Sequence, residues 1–522
     1  LLGDLHPHVL VMPFAFLVLG IAYGWYQRRE TGSLRWLGLI RLQVAPFTFG
    51  VIAWVVGALG FLNTWDFPFY LALLAGTYTL KEMKDRSSFS LGKSVLDFLA
   101  MGFSLGLTAV AFYLPFYIGF SSQAGGVIPN VLYITRGAQL WVMFGPLFIP
   151  LLAYLFLRWR GQEGRIRFRK ALWIMAVLVI GLYTVSTVLT LAIPLLPENT
   201  KYGSVEGIFL GSVGASDIQQ VMVEGTLRRL RLPGTLLTLA LLGTVSLGMI
   251  LGEGEAAGEA QGGKERMEPG GRFVLLLILG GTLLVLVPEF VFLRDLFGYR
   301  INTIFKFYFQ AWIFWSTAAA YGLLFLFRKT SAGWQRALIG VALISTALAL
   351  FYPVIALGSK TNHFQREGGP TLDGKVYFQE FRPADAGAAA WLKEQPLGVI
   401  AEAVGGSYSA SHARMATYSG LPAVLGWDFH EVQWRGGSEL VDPRKKDMAD
   451  FYCTDDWSRA QEIIERYQIR YVVVGSVEFS TYQSGGDFCP RGVMEDKFID
   501  HLGVLYHNEA VTIYGTEKRG LP

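Results

Sequence analysis

The chain has 522 residues, 52% hydrophobic and only 16% charged, with a net charge of +4. Soluble globular proteins carry about 25% charged residues, so this composition argues against a wholly soluble enzyme, and a chain this apolar has no route to disorder. Two cysteines exclude a small disulfide scaffold, and the balanced charge leaves no electrostatic footprint for nucleic acid.

The first stretch is Gly3-Asp4-Leu5-His6-Pro7-His8. An acid and two imidazoles this close can ligate a divalent metal or carry out acid–base chemistry; the competing reading is an interfacial cap before a helix starting near Val9. No signal-peptide pattern precedes it, and at least one further membrane helix is expected upstream.

Ten apolar runs follow, near 9–26, 46–62, 67–80, 95–116, 141–157, 171–196, 234–252, 273–293, 305–327 and 337–357. A crossing of the ~30 Å hydrocarbon core takes about 20 residues, and the third run is the shortest. Asn63-Thr64-Trp65-Asp66 joins the second and third as a tight hairpin. Most loop cations follow the odd-numbered runs, as in Arg158, Arg160, Arg165, Arg167, Arg169 and Lys170. The positive-inside rule makes those loops cytoplasmic, and ten crossings return the tail to the outside. The stretch 253–271, rich in Gly, Glu and Ala, reads as a flexible cytoplasmic loop.

The remaining ionisable groups of the membrane part gather at the outer helix ends: Asp4, His6, His8, Asp66, Glu198, Lys201, Glu289, Arg294, Asp295, Arg300 and Lys306. Such groups usually face a cavity or a partner. Arg300 and Lys306 straddle the start of an apolar helix, together with Asn302. They suit a lipid phosphate, or else snorkel or pair with Glu289 or Asp295.

Beyond residue 358 charges return and short β-type runs appear at 399–401, 471–474 and 511–514, with amphipathic helices expected at 384–393 and 457–467. We expect an α-helical polytopic membrane domain over 1–358 and an extracytoplasmic α/β domain over 359–522. Cys453 and Cys489 both lie in this tail, either bridged or as free buried thiols. The run Gly426-Trp427-Asp428-Phe429-His430-Glu431-Val432-Gln433-Trp434-Arg435 packs aromatics, acids, a base and a cation into ten residues. It suits sugar rings, or forms a structural loop.

Four stretches together, Gly3–His8, Asn63–Asp66, Arg300-Ile301-Asn302-Thr303-Ile304-Phe305-Lys306-Phe307-Tyr308 and Gly426–Arg435, resemble the YYY-domain (Chlor_Arch_YYY) membrane proteins of green non-sulfur bacteria and archaea. The resemblance covers nearly the whole chain. It implies an additional N-terminal membrane segment with an acidic residue. That layout is in turn similar to the GT-C glycosyltransferases, polytopic enzymes that take sugars from polyprenyl-phosphate lipids.

The resemblance implies a plasma-membrane, multi-pass glycosyltransferase acting on the outer side. Asp4 is then the general base or a metal ligand, with His6 and His8 orienting it or sharing the metal. Arg300, Lys306 and Arg294 hold the donor phosphate, with Asp66, Glu289, Asp295 and Asn302 in support. Trp427, His430, Glu431, Trp434 and Arg435 present the acceptor. The expected partners are membrane lipids and the polyprenyl-phosphate sugar, and the one cofactor considered is a divalent metal ion. A transporter or flippase for a lipid-linked or anionic solute, and a non-catalytic membrane scaffold, are the alternatives.

Overall fold

The computed structural model describes residues 7–28, 32–84, 90–120, 125–161, 166–195, 205–256, 270–294, 299–329, 333–365, 368–435, 437–485 and 489–516. The chain divides into two compact units, Leu1–His363 and Phe364–Pro522.

The first unit is helical: α1 (Pro7–Gln27), α2 (Pro46–Leu62), α3 (Phe67–Lys84), α4 (Leu91–Phe112), α5 (Leu114–Gly119), α6 (Gly137–Gly161), α7 (Phe168–Ala192), α8 (Val205–Val213), α9 (Ile218–Arg231), α10 (Gly234–Ala256), α11 (Gly271–Leu286), α12 (Ile301–Lys329) and α13 (Gly333–Lys360). Two short antiparallel pairs accompany them, β1 (Leu34–Trp36) with β2 (Ile40–Leu42) and β3 (Val127–Pro129) with β4 (Val291–Leu293).

Seven of the ten apolar runs lie within one helix each, while 95–116 breaks at Tyr113 between α4 and α5, 171–196 runs past the end of α7 and 273–293 ends in β4; eight helices among the described residues are long and apolar enough to cross a membrane. The two apolar runs outside that set are α2 and α3, although α3 runs the length of α1, with Asp66 at His8 and Lys81 Nζ donating to the Trp25 carbonyl at 2.6 Å. With 17 residues, α2 spans only about 26 Å at 1.5 Å per residue, while α3 carries Lys81 and Lys84 in its last turn. One correction concerns α8 and α9, in a region that carried no predicted element. Their apolar faces cover Phe209, Ile218 and Val221, which pack with Ile128, Val131 and Phe292 of the β3–β4 region. The expected loop at 253–271 lies outside the described residues over 257–269.

The core centres on α11 and α12. Trp315 of α12 is fully buried, edge-on to Phe144 and Phe148 of α6 at 5.0 and 4.9 Å, and its indole N–H donates to the Ile278 carbonyl of α11 at 3.1 Å. Gly281 makes this approach possible: a Cβ there would stand 2.5 Å from Trp315 Nε1. Edge-on aromatic contacts add to the large area such rings bury.

The second unit holds helices α14 (Gly374–Phe381), α15 (Pro383–Lys393), α16 (Arg414–Ser419), α17 (Asp428–Arg435), α18 (Asp442–Cys453), α19 (Trp457–Tyr467), α20 (Ser476–Thr481) and α21 (Asp496–His501). They accompany a sheet of β5 (Val399–Ala401), β6 (Ile469–Gly475), β7 (Gly503–His507) and β8 (Val511–Gly515). The strand order is β5-β6-β8-β7, parallel between β5 and β6 and antiparallel elsewhere. Val472, Val473 and Val474 of β6 are buried on both faces, as a central strand requires. Cys453 and Cys489 are bridged, with their Cα atoms 5.2 Å apart.

Candidate functional site

His8 stands in the first turn of α1, directly after Pro7, whose fixed φ suits a helix start. Its Nδ1 lies 2.8 Å from Asp66 Oδ1, and each side chain is 1% exposed. Asp66 ends the turn between α2 and α3; its amide donates to the Asn63 carbonyl at 3.0 Å, and its carbonyl accepts from the Tyr70 amide at 3.3 Å. From α12, Gln310 Nε2 donates to Asp66 Oδ1 at 2.7 Å, while Tyr70 OH donates to Gln310 Oε1 at 2.7 Å. Phe305 and Phe309, one turn apart on α12, place their rings 5.6 and 5.7 Å from the imidazole.

Asn63 Nδ2 also lies 2.8 Å from His8 Nδ1. A ring nitrogen carries at most one hydrogen, and an ionised carboxylate only accepts. With Asp66 ionised, Nδ1 holds the proton and donates it to Oδ1, so the Asn63 amide presents its oxygen at this spot. Nε2 is then the basic nitrogen of His8. Asp66 Oδ2 is buried without a hydrogen-bond partner among the described residues. A buried unsatisfied acceptor is costly, and this one suits a water or a ligand hydroxyl.

Lys306 reaches the same turn, with Nζ 4.5 Å from the centroid of the Trp65 ring. His8, Asp66 and Lys306, three of the residues singled out from sequence, thus gather around the first turns of α12.

Glu289 and Arg300 form a neighbouring cluster. Arg300 Nη1 donates to Glu289 Oε1 at 2.8 Å and to the Pro288 carbonyl at 3.1 Å, and Nη2 donates to Thr135 Oγ1 at 3.0 Å. The Thr135 amide donates to Glu289 Oε2 at 3.1 Å, and its hydroxyl lies 3.0 Å from Tyr308 OH. Arg229 of α9 donates to the carbonyls of Val131 at 2.6 Å, Glu289 at 2.8 Å and Asn130. The cavity beside Thr135, Arg229 and Glu289 measures about 10 Å³, room for about one water and not for a phosphate. Arg300 is thus held in an ion pair with Glu289, the pairing the sequence offers as the alternative to a phosphate contact. Arg294 is buried, and its backbone continues the β3–β4 pairing through Gly125 and Gly126 at 2.8 and 2.9 Å. Asn302 is half-buried in the first turn of α12.

Asp4, His6 and Asp295 lie outside the described residues, as do Glu198 and Lys201. No group of three or more His, Cys, Asp or Glu among the described residues is placed to hold a metal ion. Sequence reasoning missed Tyr70, Thr135 and Gln310, and gave Tyr308 no role of its own within the Arg300–Tyr308 run. Gln310 carried a signal, as the lone amide in the apolar run Phe307–Trp315.

In the second unit, α17 carries the residues expected to present an acceptor. Trp427 Nε1 donates to the carbonyls of Ser409 and His412 at 3.2 and 3.1 Å. Tyr408 OH lies 3.2 Å from His430 Nδ1, and Trp434 Nε1 donates to His430 Nε2 at 2.8 Å. Glu431 accepts from the Gly426 amide and from Arg435 Nε, each at 2.8 Å. The Tyr408 and Trp434 rings remain 58% and 66% exposed. Tyr408 has φ +62°, which is strained for a bulky side chain and recurs at functional loops. Burial opposes ionisation of Asp428, at the start of α17, but hydrogen bonds from Lys445 and the Phe429 amide outweigh it and hold the carboxyl below its usual range.

The loop carrying Tyr408 is anchored by Arg414, which has 0% side-chain exposure. Its guanidinium donates to Asp385 Oδ1 at 2.8 Å and to Glu478 Oε1 and Oε2 at 3.1 and 3.0 Å. Glu402, at the end of β5, accepts the Met415 and Ala416 amides at 2.9 Å each. Burial pushes the Glu402 carboxyl up, against the pull of Arg414 and these amides. His412 is pushed down, first by burial and then by Arg414.

The family model described as "Uncharacterized membrane protein (DUF2298)" matches residues 1–315, more than half of the chain. No curated protein matches the chain.

Proposed function

The chain belongs to the DUF2298 family of membrane proteins, and from that premise we propose that it is a GT-C-type glycosyltransferase of the YYY-domain kind, using a polyprenyl-phosphate sugar on the extracytoplasmic side of the plasma membrane. The observation that carries this reading is the convergence of His8, Asp66 and Lys306 at the first turns of α12, with one buried oxygen of Asp66 lacking a partner among the described residues. A fixed imidazole, a carboxylate and a nearby cation are the parts that acid–base transfer from a phosphate needs.

In the reaction, an acceptor hydroxyl oxygen forms a bond to the anomeric carbon. The bond from that carbon to the phosphate oxygen breaks, and its electron pair leaves with polyprenyl phosphate. The hydroxyl proton passes to a base, the role this reading gives to Asp4 or to His8 Nε2. Lys306, supported by Arg294, steadies the phosphate as charge develops on it. The aromatic face of Tyr408, Trp427 and Trp434 receives the acceptor. The Cys453–Cys489 bridge supports an outer location for the second unit, since disulfides persist in oxidising compartments.

The test uses the purified full chain in native-lipid nanodiscs with labelled polyprenyl-phosphate hexoses, read by mass spectrometry of the lipid product. Release of polyprenyl phosphate, abolished in Asp4→Asn at unchanged expression, is the expected result. Full activity in that variant removes Asp4 from the mechanism. No turnover of any polyprenyl donor, with none co-purifying, rejects the reading.

A further inference from the structure

A second lipid site lies away from the His8 cluster. Helices α6 and α10 start together, with Gly137 packed directly against the Gly234 backbone near the Thr135 cluster. From there α6 runs 25 residues, about 37 Å, to the opposite end of the bundle. At that end a cavity of about 700 Å³ opens between α6, α7 and α10, lined among others by Leu155, Trp159, Ile166, Phe168, Leu241 and Val245. Its volume falls within the range of small-molecule pockets. Trp159, Phe168 and Leu241 are 56%, 49% and 50% exposed. On membrane-crossing helices that exposure faces the bilayer, so the cavity opens sideways to lipid. The Arg167 amide donates to the Gly248 carbonyl at 3.2 Å, which fixes the start of α7 against α10 and gives the cavity a wall.

The rim is cationic. Exposed Arg160 follows the lining residue Trp159, and exposed Arg167 sits between the lining residues Ile166 and Phe168. Arg169 and Lys170 continue the charge on the first turn of α7. An apolar slot open to the bilayer, with guanidinium groups at the level of its mouth, is complementary to a lipid that carries both an acyl chain and a phosphate.

We propose that this cavity binds an anionic phospholipid, with one acyl chain between α6, α7 and α10 and the phosphate held by Arg160 and Arg167. The site is separate from the proposed transfer chemistry and does not depend on it.

The full chain in phosphatidylcholine nanodiscs is titrated with phosphatidylglycerol brominated on its acyl chain, and in parallel with equally brominated phosphatidylcholine. Bromine quenches nearby tryptophan. The chain has 14 tryptophans, so the Trp159 signal is taken as the difference from Trp159→Phe. Brominated phosphatidylglycerol should half-quench that signal at a much lower mole fraction than brominated phosphatidylcholine. Arg160→Gln and Arg167→Gln should each raise the required fraction about fivefold, following the usual contribution of one cation near an anionic surface. Equal quenching by the two lipids overturns the proposal, as does a headgroup preference that survives the double variant. Native mass spectrometry, counting phosphatidylglycerol retained by the wild type and by the double variant, makes the same comparison without altering a tryptophan; equal retention overturns the proposal there too.

Discussion

His8 Nδ1 and Asp66 Oδ1 meet at 2.8 Å across 58 residues of sequence, with the protein closed around them. The contact ties α1 to the α2–α3 turn, and Gln310 brings α12 to the same carboxylate. A buried acid of this kind both holds the fold and fixes which imidazole nitrogen is basic.

Asp66→Ala should therefore destabilise the helical unit by about 3–5 kcal/mol, the usual cost of breaking a buried pair. Asp66→Asn should cost less than half of that, because its amide oxygen still accepts from Nδ1. Thermal unfolding in detergent ranks the two variants, and turnover measured on the same samples separates holding from chemistry. Equal stability of Asp66→Ala and wild type contradicts the pairing.

At Glu289–Arg300, shape matters as well as charge. One guanidinium reaches Glu289, the Pro288 carbonyl and Thr135 together, and an ammonium cannot reproduce that fork. Arg300→Lys should lose about 2–3 kcal/mol despite keeping the charge. A double-mutant cycle with Glu289→Gln should give a coupling of about 1–3 kcal/mol. A fully stable Arg300→Lys argues against the fork geometry.

Acid should loosen the second unit through His412. Its folded-state pKa lies below the ordinary 6.5, because burial and then Arg414 disfavour the imidazolium. The unfolded chain therefore takes up the proton first as pH falls. Stability contributed by this group is complete above 6.5 and drains away as pH drops from 6.5 toward the lower folded value. Hydrogen exchange of the β6 amides in the full chain, corrected for intrinsic rates, should show a steeper loss of protection over this window in wild type than in His412→Gln. Parallel profiles count against it.

Reduction should act on the same unit. The Cys453–Cys489 bridge closes a 36-residue separation, which on the chain-entropy model stabilises the fold by about 3–4 kcal/mol. Cys453→Ser with Cys489→Ser should lower protection of β6 and β8 by that amount while leaving the helical unit unchanged. An unaltered second unit rejects the estimate.

Trp434 is two-thirds exposed, so its truncation should leave stability within about 0.5 kcal/mol. If its ring is part of a sugar platform, Trp434→Ala should weaken oligosaccharide binding about tenfold, as seen by intrinsic fluorescence titration. Unchanged affinity assigns the ring no part in binding.

The apolar runs were legible as helices because hydrophobic length is a local property. The packing of α2 and α3 was not, since the contacts that fix it, His8 with Asp66 and Lys81 with the Trp25 carbonyl, join residues far apart in sequence. The helices α8 and α9 escaped notice because their apolar residues matter only against β3 and β4, far away in sequence. Strand β7, Gly503–His507, was lost beside the stronger β8 pattern. At the site, Asp66 and His8 were each visible as polar groups at a helix end, whereas their pairing is a long-range fact. The Arg300–Glu289 pair, 11 residues apart, was by contrast among the readings the sequence itself offered.

Arg414 has a consequence for the order of events during synthesis. Its partners lie 29 and 12 residues before it at Asp385 and Glu402 and 64 after it at Glu478. A nascent chain that has reached the end of α16 holds the guanidinium but not the carboxylate that makes two of its contacts. Until β6 and α20 emerge, burying that cation is unfavourable, so the early half of the unit has reason to stay open. The second unit should close late and all at once, after its last acidic partner has been synthesised.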